Sequence, residues 1–188
     1  VKILDVDDAT VHDVTFDLLD SHGVAIVPCD TIYGIVGKAP ETERRIRDIK
    51  GRSSDKPYIR LIGSRDITAY SGLKIPDEIL RLWPGPLTLI VPTYSGGTVA
   101  LRMPDSPFLL RLLGRLDKPL YSTSVNREGR PYSRSVDTIV AEFGDLVDLL
   151  VTAGDLPEAV PSTILDLART PYSVLRSGAV RIPDSFLS

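Results

Sequence analysis

The first eight residues, Val1 to Asp8, switch between apolar and polar side chains with an approximate two-residue period, as a strand does. Val11, Val14, Leu18 and Leu19 then recur at helical spacing, and Gly23 supplies a C-terminal stop. Val24 to Val27 reads as a buried strand that runs into "VPCDTIYGI", where Asp30 to Gly34 reads as the turn at its end. Glu41 to Lys50 is expected as a short basic helix closed by Gly51, and Tyr58 to Ile62 as the next strand. Pro76 opens a helix carrying Ile79, Leu80, Leu82 and Trp83, which Pro84 must end. Leu87 to Val91 and Thr98 to Arg102 read as strands paired through a Ser95-Gly96-Gly97 turn. Pro107 to Leu116 is expected as a helix, Leu120 to Val125 as a strand, and Ser135 to Phe143 as a helix capped by Gly144. Val147 to Val151, Thr163 to Leu167, and Ser173 to Arg176 continuing into Val180 to Ile182 complete the set as short strands. Strands outnumber helices but alternate with them over the first two thirds. The expectation is an α/β (α+β) domain with an open, twisted, mixed parallel and antiparallel sheet flanked by helices. With no repeat, low-complexity tract or break in composition, residues 1–188 form one domain in this reading.

Composition narrows the class only modestly. Hydrophobic residues make up 43% and charged residues 25%, ordinary values for a globular chain. No apolar run approaches the ~20 residues that span a bilayer, and the N-terminal stretch lacks the apolar block of a signal peptide. The single cysteine, Cys29, excludes an internal disulfide and fits a reducing cytoplasm. His12 and His22 are too few and too badly spaced to build a zinc site with it.

Charge changes the picture more. The net charge is −3, yet Lys38 to Arg65 carries nine Lys/Arg against four acids, so this segment is +5 and the remainder −8. A basic segment on an acidic chain fits an anion site better than a general nucleic-acid surface, although any one of these charges serves equally on a solvated helix face.

Polar residues gather where strands end, as sites in α/β sheets do. Five such places stand out: Asp30 to Gly34, Lys50 to Pro57, Thr98 with Arg102, Ser122 to Asn126, and Ser162 with Arg176 to Gly178. Taken singly, a strand-end hydroxyl more often caps a helix or makes a turn, and Lys50-Gly51-Arg52 alone reads as a helix C-cap. Arg102 is different, because an arginine closing an apolar strand needs a partner, and a carboxylate or phosphate matches its planar fork. Together Lys50, Arg52, Lys56, Arg102 and Arg176, with Thr31, Ser122, Ser124, Asn126 and Ser162, suit a ligand bearing several anionic groups plus hydroxyl or amino groups. The P-loop pattern, the dinucleotide glycine fingerprint, a nucleophile with a histidine base and a metal cage are all missing. Chemistry here would rest on positioning and charge stabilisation.

The motifs also resemble a known family. "GVAIVPCDTIYGI" is similar to the "PTDTVYGL" opening of the YrdC/YciO family, and "KGRSSDKP" to its Lys-x-Arg…Lys-Pro segment. "WPGPLTLIV", "LRMPDSPFLLRLL", "PLYSTSVNREGRP", "FGDLVDLLVTAGD", "PSTILDL" and "VLRSGAVRIP" follow in the family's order, from about Gly23 to Pro183. The resemblance implies a YrdC-like fold with a concave basic cavity. It implies a cytoplasmic threonylcarbamoyl-AMP synthase that joins L-threonine, bicarbonate and ATP and releases pyrophosphate. Mg2+ would arrive on the ATP phosphates, and the product would pass to tRNA threonylcarbamoyltransferase components. The alternative it leaves open is a non-catalytic YciO-like protein that binds nucleotide, tRNA or double-stranded RNA.

Carried over by position, Lys50, Arg52 and Lys56 are the expected catalytic cations. Thr31, Arg102, Ser124 and Ser162 are expected to bind threonine. Arg52, Lys56, Thr98, Ser122, Ser124, Asn126 and Arg176 are expected to bind ATP. Asp30 would orient its loop, Tyr33 would pack beneath it, and Cys29 would merely line the strand end. Three positions depart from the family pattern: Val125 stands where many members have Ala, Tyr132 where Ser is common, and Leu61 where some have a threonine-contacting His. With no extra C-terminal domain within 188 residues, the sequence resembles the short form. No residue stands out as a protein base.

Overall fold

The computed structural model describes residues 1–51 and 57–187. Among these, ten strands form one mixed sheet: β1 Lys2–Asp5, β2 Val24–Pro28, β3 Tyr33–Lys38, β4 Ile59–Leu61, β5 Leu87–Pro92, β6 Thr98–Arg102, β7 Leu120–Ser124, β8 Leu149–Thr152, β9 Thr163–Asp166 and β10 Ser173–Arg176. Their spatial order is β1-β8-β2-β3-β7-β4-β6-β5-β9-β10. The helices are α1 Val11–Asp20, α2 Glu43–Lys50, α3 Asp77–Leu80, α4 Pro107–Arg115 and α5 Val136–Phe143. The α/β class and the mixed sheet are therefore as expected, with β1∥β8 and β5∥β9 beside the antiparallel β2–β3 and β5–β6 pairs.

Side-chain parity sorts the core. Ala25, Val27 and Val36 pack with α1 and α4 through Leu19, Leu109 and Leu112. Their neighbours Val24, Ile26 and Ile35 face α2 and α5 on the opposite side, against Ile46, Ile49, Ile139 and Phe143. A third cluster joins Leu87, Leu89, Val91, Leu101 and Leu165 to Ile79 and the fully buried Trp83, whose Nε1 donates to Leu87 O at 2.7 Å. The alternate residues of those same strands, Thr88, Ile90, Ala100, Arg102 and Ile164, point the other way and line a cavity. Cross-strand partners share a face. Arg102 is paired through Leu61, and Ser122 through Val36 and Ile59, to the side that α1 and α4 cover. Helices thus cover this face over one half of the sheet, and the cavity opens where that cover stops.

Two expectations change. The turn placed at Asp30 to Gly34 is shorter, because the chain re-enters the sheet at Tyr33 as β3, pairing Pro28 with Tyr33 and Val24 with Gly37. All six residues of β3 are buried, so it lacks the alternation that marks a one-sided strand. Gly144 does cap α5, as expected; it stays right-handed (φ −53°) and begins a 3-10 turn to Leu146. Val180 to Ile182 does not extend β10. Val180 is held instead by Thr163, whose Oγ1 donates to Val180 O at 2.6 Å, and Ile182 drops into the third core cluster.

Candidate active site

Gly51, at φ +59°, closes α2 in the left-handed conformation that favours glycine. The Lys50 side chain, only 4% exposed, turns back under the loop that follows β7. Its ammonium donates to Ser124 O at 2.8 Å and to Asn126 Oδ1 at 2.5 Å. The Ser124 hydroxyl donates to the same Asn126 oxygen at 2.6 Å, and Asn126 Nδ2 donates to Arg130 O at 2.5 Å. Lys50 thus braces the Ser124–Asn126 loop from behind, and it is Ser124 and Asn126 that reach the cavity.

The β2–β3 loop builds a second wall. Asp30 and Arg102 form an ion pair with side chains 7% and 9% exposed. Arg102 Nη2 donates to Asp30 Oδ1 at 2.5 Å and approaches Thr31 Oγ1 at 3.4 Å, while the other Asp30 oxygen accepts from Asp105 N at 3.1 Å. Asp30 therefore orients Arg102 as well as its own loop. The Arg102 Nε is buried and has no partner among the described residues. Such an orphan donor on a cavity wall costs free energy until a ligand accepts from it. Tyr33 packs beneath, 1% exposed, with its hydroxyl donating to Gly154 O at 2.6 Å.

The third wall comes from β5, β9 and β10. Arg176 lies on the edge strand with its stem exposed and its guanidinium laid onto Ser162, where Nε donates to Ser162 O and Nη2 to Ser162 Oγ, both at 2.9 Å. Ser162 Oγ also lies 3.0 Å from Thr88 Oγ1, and both hydroxyls are essentially fully buried. Desolvation of the Arg176 head, and then the positive charge of Arg102, disfavour its charged form. Two guanidiniums repel across one cavity, and an anion between them relieves that repulsion.

The enclosed volume is about 740 Å³, ample for a nucleotide with a small second ligand. It gathers Thr31, Arg102, Ser122, Ser124, Asn126, Ser162 and Arg176. No Asp or Glu is among the described lining residues. Thr98 is not brought in; it shares the cavity-facing parity of Ala100 and Arg102 but lies exposed opposite Pro92 at the hairpin end of β6. Arg52 and Lys56 lie outside the described residues. Cys29 does line the cavity, and burial pushes its thiol up to about 12, which leaves it a poor nucleophile. Sequence reasoning missed Thr88 and Arg130, both in the wall. Thr88 was detectable as the polar residue alternating with Leu87 and Leu89.

An open mixed sheet whose uncovered half holds two arginines and several small hydroxyls, with no carboxylate among the described lining residues, has the donor set of a site for polyanionic small molecules. Residues 17–178 match the Sua5_yciO_yrdC family model, described as "Telomere recombination", and the chain belongs to this family. It is 31% identical over 172 residues to the threonylcarbamoyl-AMP synthase of Pyrococcus abyssi, a match covering 84% of this chain and 51% of that protein. The chain spans about half the length of the curated relatives it matches first. Among solved structures, P. abyssi Sua5 complexed with L-threonine superposes with a TM-score of 0.80 at 26% identity, covering 94% of this chain and 56% of that one. E. coli YciO shares the fold with a TM-score of 0.77 at 23% identity, over 94% and 93%. Among the described residues no helix is long and apolar enough to cross a membrane.

Proposed function

We propose that this cavity synthesises L-threonylcarbamoyladenylate from L-threonine, bicarbonate and ATP. The observation that carries the reading is the unpartnered, buried Nε of Arg102 beside Thr31, in a cavity with no described carboxylate of its own. The threonine carboxylate docks on Arg102, whose fork Asp30 holds in place, while Thr31, Ser124 and Ser162 contact the rest of the amino acid. Arg176, Ser122 and Asn126 face the nucleotide, and Arg52 and Lys56 serve the triphosphate. Thr98 belongs to the outer rim of the nucleotide site. Lys50 acts through the Ser124–Asn126 loop that it braces.

The threonine amine combines with bicarbonate to give a carbamate and water. A carbamate oxygen then attacks the α-phosphorus of ATP, and the bond from phosphorus to the bridging oxygen breaks to release pyrophosphate. Both reactants are anionic, so the arginines hold them together against repulsion, and most of the rate comes from positioning. With no described carboxylate in the wall and no group of three or more His, Cys, Asp or Glu among the described residues, the donor set fits Mg2+ that enters already bound to ATP. Bound there, Mg2+ offsets phosphate charge. The product would pass to the components that place threonylcarbamoyl groups on tRNA.

A second reading is favoured by the YciO fold match: a non-catalytic binder of nucleotide or double-stranded RNA, using the basic Lys38–Arg65 segment. Pyrophosphate release decides between them. Release that requires threonine and bicarbonate supports the synthase. Salt-sensitive RNA binding with no threonine-dependent release replaces it by the second reading.

A further inference from the structure

The cavity holds a third arginine among its described lining residues. Arg102 is committed to Asp30, and Arg176 to Ser162. Arg130 lines the cavity and is exposed, and its guanidinium makes no hydrogen bond or ion pair with a described residue.

Its backbone, by contrast, is held at several points. Arg130 N donates to Arg127 O at 3.0 Å across Gly129, which takes the left-handed φ of +77° that this tight turn requires. Arg130 O accepts from Asn126 Nδ2. Glu128 N donates to Lys50 O at 3.1 Å, and Arg127 Nη1 to Ile49 O at 2.7 Å. The turn is therefore stapled to the last residues of α2. In the sequence Gly51 is followed by Arg52 and, four residues on, Lys56, both assigned above to the triphosphate.

We propose that Arg130 is a polyphosphate-binding residue that grips the phosphates beyond the α-phosphate and then the departing pyrophosphate. This inference rests on the proposed nucleotide site and adds a residue to it. A planar guanidinium on a fixed backbone, in a wall without described carboxylates, is preset for bidentate phosphate contact. Arg102 is assigned above to the threonine carboxylate, and Arg176 spends Nε and Nη2 on Ser162. The role transfers no proton: the guanidinium offsets the charge that builds on the leaving group.

The test compares ATP and AMP binding to the wild-type chain, Arg130→Gln and Arg130→Lys by calorimetry. Because the side chain is exposed and unpaired, the variants should fold normally. The expected result is that Arg130→Gln weakens ATP at least about tenfold, the scale of a charged hydrogen bond, and changes AMP less than about twofold. Arg130→Lys should recover part of the ATP affinity. Unchanged ATP affinity, or equal losses for ATP and AMP, overturns the inference and leaves the nucleotide site standing. A wild-type chain that binds neither nucleotide overturns the site and the inference together.

Discussion

Replacing Gly178 by alanine should damage the site from outside the cavity. A Cβ at this position would lie 2.3 Å from Pro161 O, 2.4 Å from Thr163 N and 2.5 Å from Ser162 C, all backbone atoms that cannot rotate away. Reaching even a tight 3.0 Å contact moves the 161–163 backbone by about 0.7 Å. That backbone carries Ser162, whose carbonyl and hydroxyl receive Arg176 and whose hydroxyl meets Thr88 at 3.0 Å. The shift would break or lengthen these bonds and withdraw Ser162 and Arg176 from their places in the cavity. Misplacing reacting groups by ~1 Å costs on the order of a hundredfold in rate, so kcat/KM for threonine-dependent pyrophosphate release should fall by tens to about a hundredfold. Overpacking should also cost about 1–3 kcal/mol of stability. Steady-state kinetics with urea denaturation would measure both. Activity within twofold of wild type in a stably folded variant would refute the claim that the Ser162 backbone position matters to the site.

Other expectations are independent of this one. Asp30→Asn can keep the bond from Arg102 or the one from Asp105 N but not both, since an amide nitrogen is a donor; with a buried ion pair broken, stability should drop by about 3 kcal/mol in urea denaturation, and a loss under about 1 kcal/mol would show that Arg102 is held otherwise. Cys29, with its thiol pushed up to about 12, should alkylate slowly at pH 8 and speed up only as pH rises toward that value; fast iodoacetamide labelling of the native protein at pH 8 would contradict this. Asp148, receiving both Arg45 terminal nitrogens and Val24 N, has its carboxyl held below the usual 3.8, chiefly by Arg45. Its stabilisation is present above the unfolded value and is lost as pH falls through the lower folded value. Asp148→Asn should therefore flatten the fall in urea midpoint between about pH 5 and pH 2, and an unchanged acid slope would count against the pair.

The parts of the fold written in a single period were legible. Leu18 and Leu19 at helical spacing, the Ser95-Gly96-Gly97 hairpin and the Gly51 stop all read directly. Strand β3 was not legible, because Tyr33-Gly34-Ile35-Val36-Gly37-Lys38 is buried on both faces and broken by two glycines. Those glycines answer to tertiary contacts: a Cβ at Gly37 would meet Thr42 Oγ1 at 2.5 Å, which no local pattern reveals. In the site, Arg102 was conspicuous as a charge ending an apolar strand, and Thr31, Ser122, Ser124 and Ser162 as hydroxyls at strand ends. The division of labour among them was hidden. That Asp30 occupies Arg102, that Lys50 serves the loop behind the wall, and that Arg130 comes to the cavity all depend on contacts between segments far apart in sequence.

The proposed reaction joins three substrates in one cavity. The most direct measurement supplies 13C-bicarbonate with ATP, Mg2+ and threonine to the pure protein and follows the label by mass spectrometry. A labelled adenylate should form together with pyrophosphate, and only when threonine is present. Threonine and ATP both binding while no label reaches any nucleotide would contradict it.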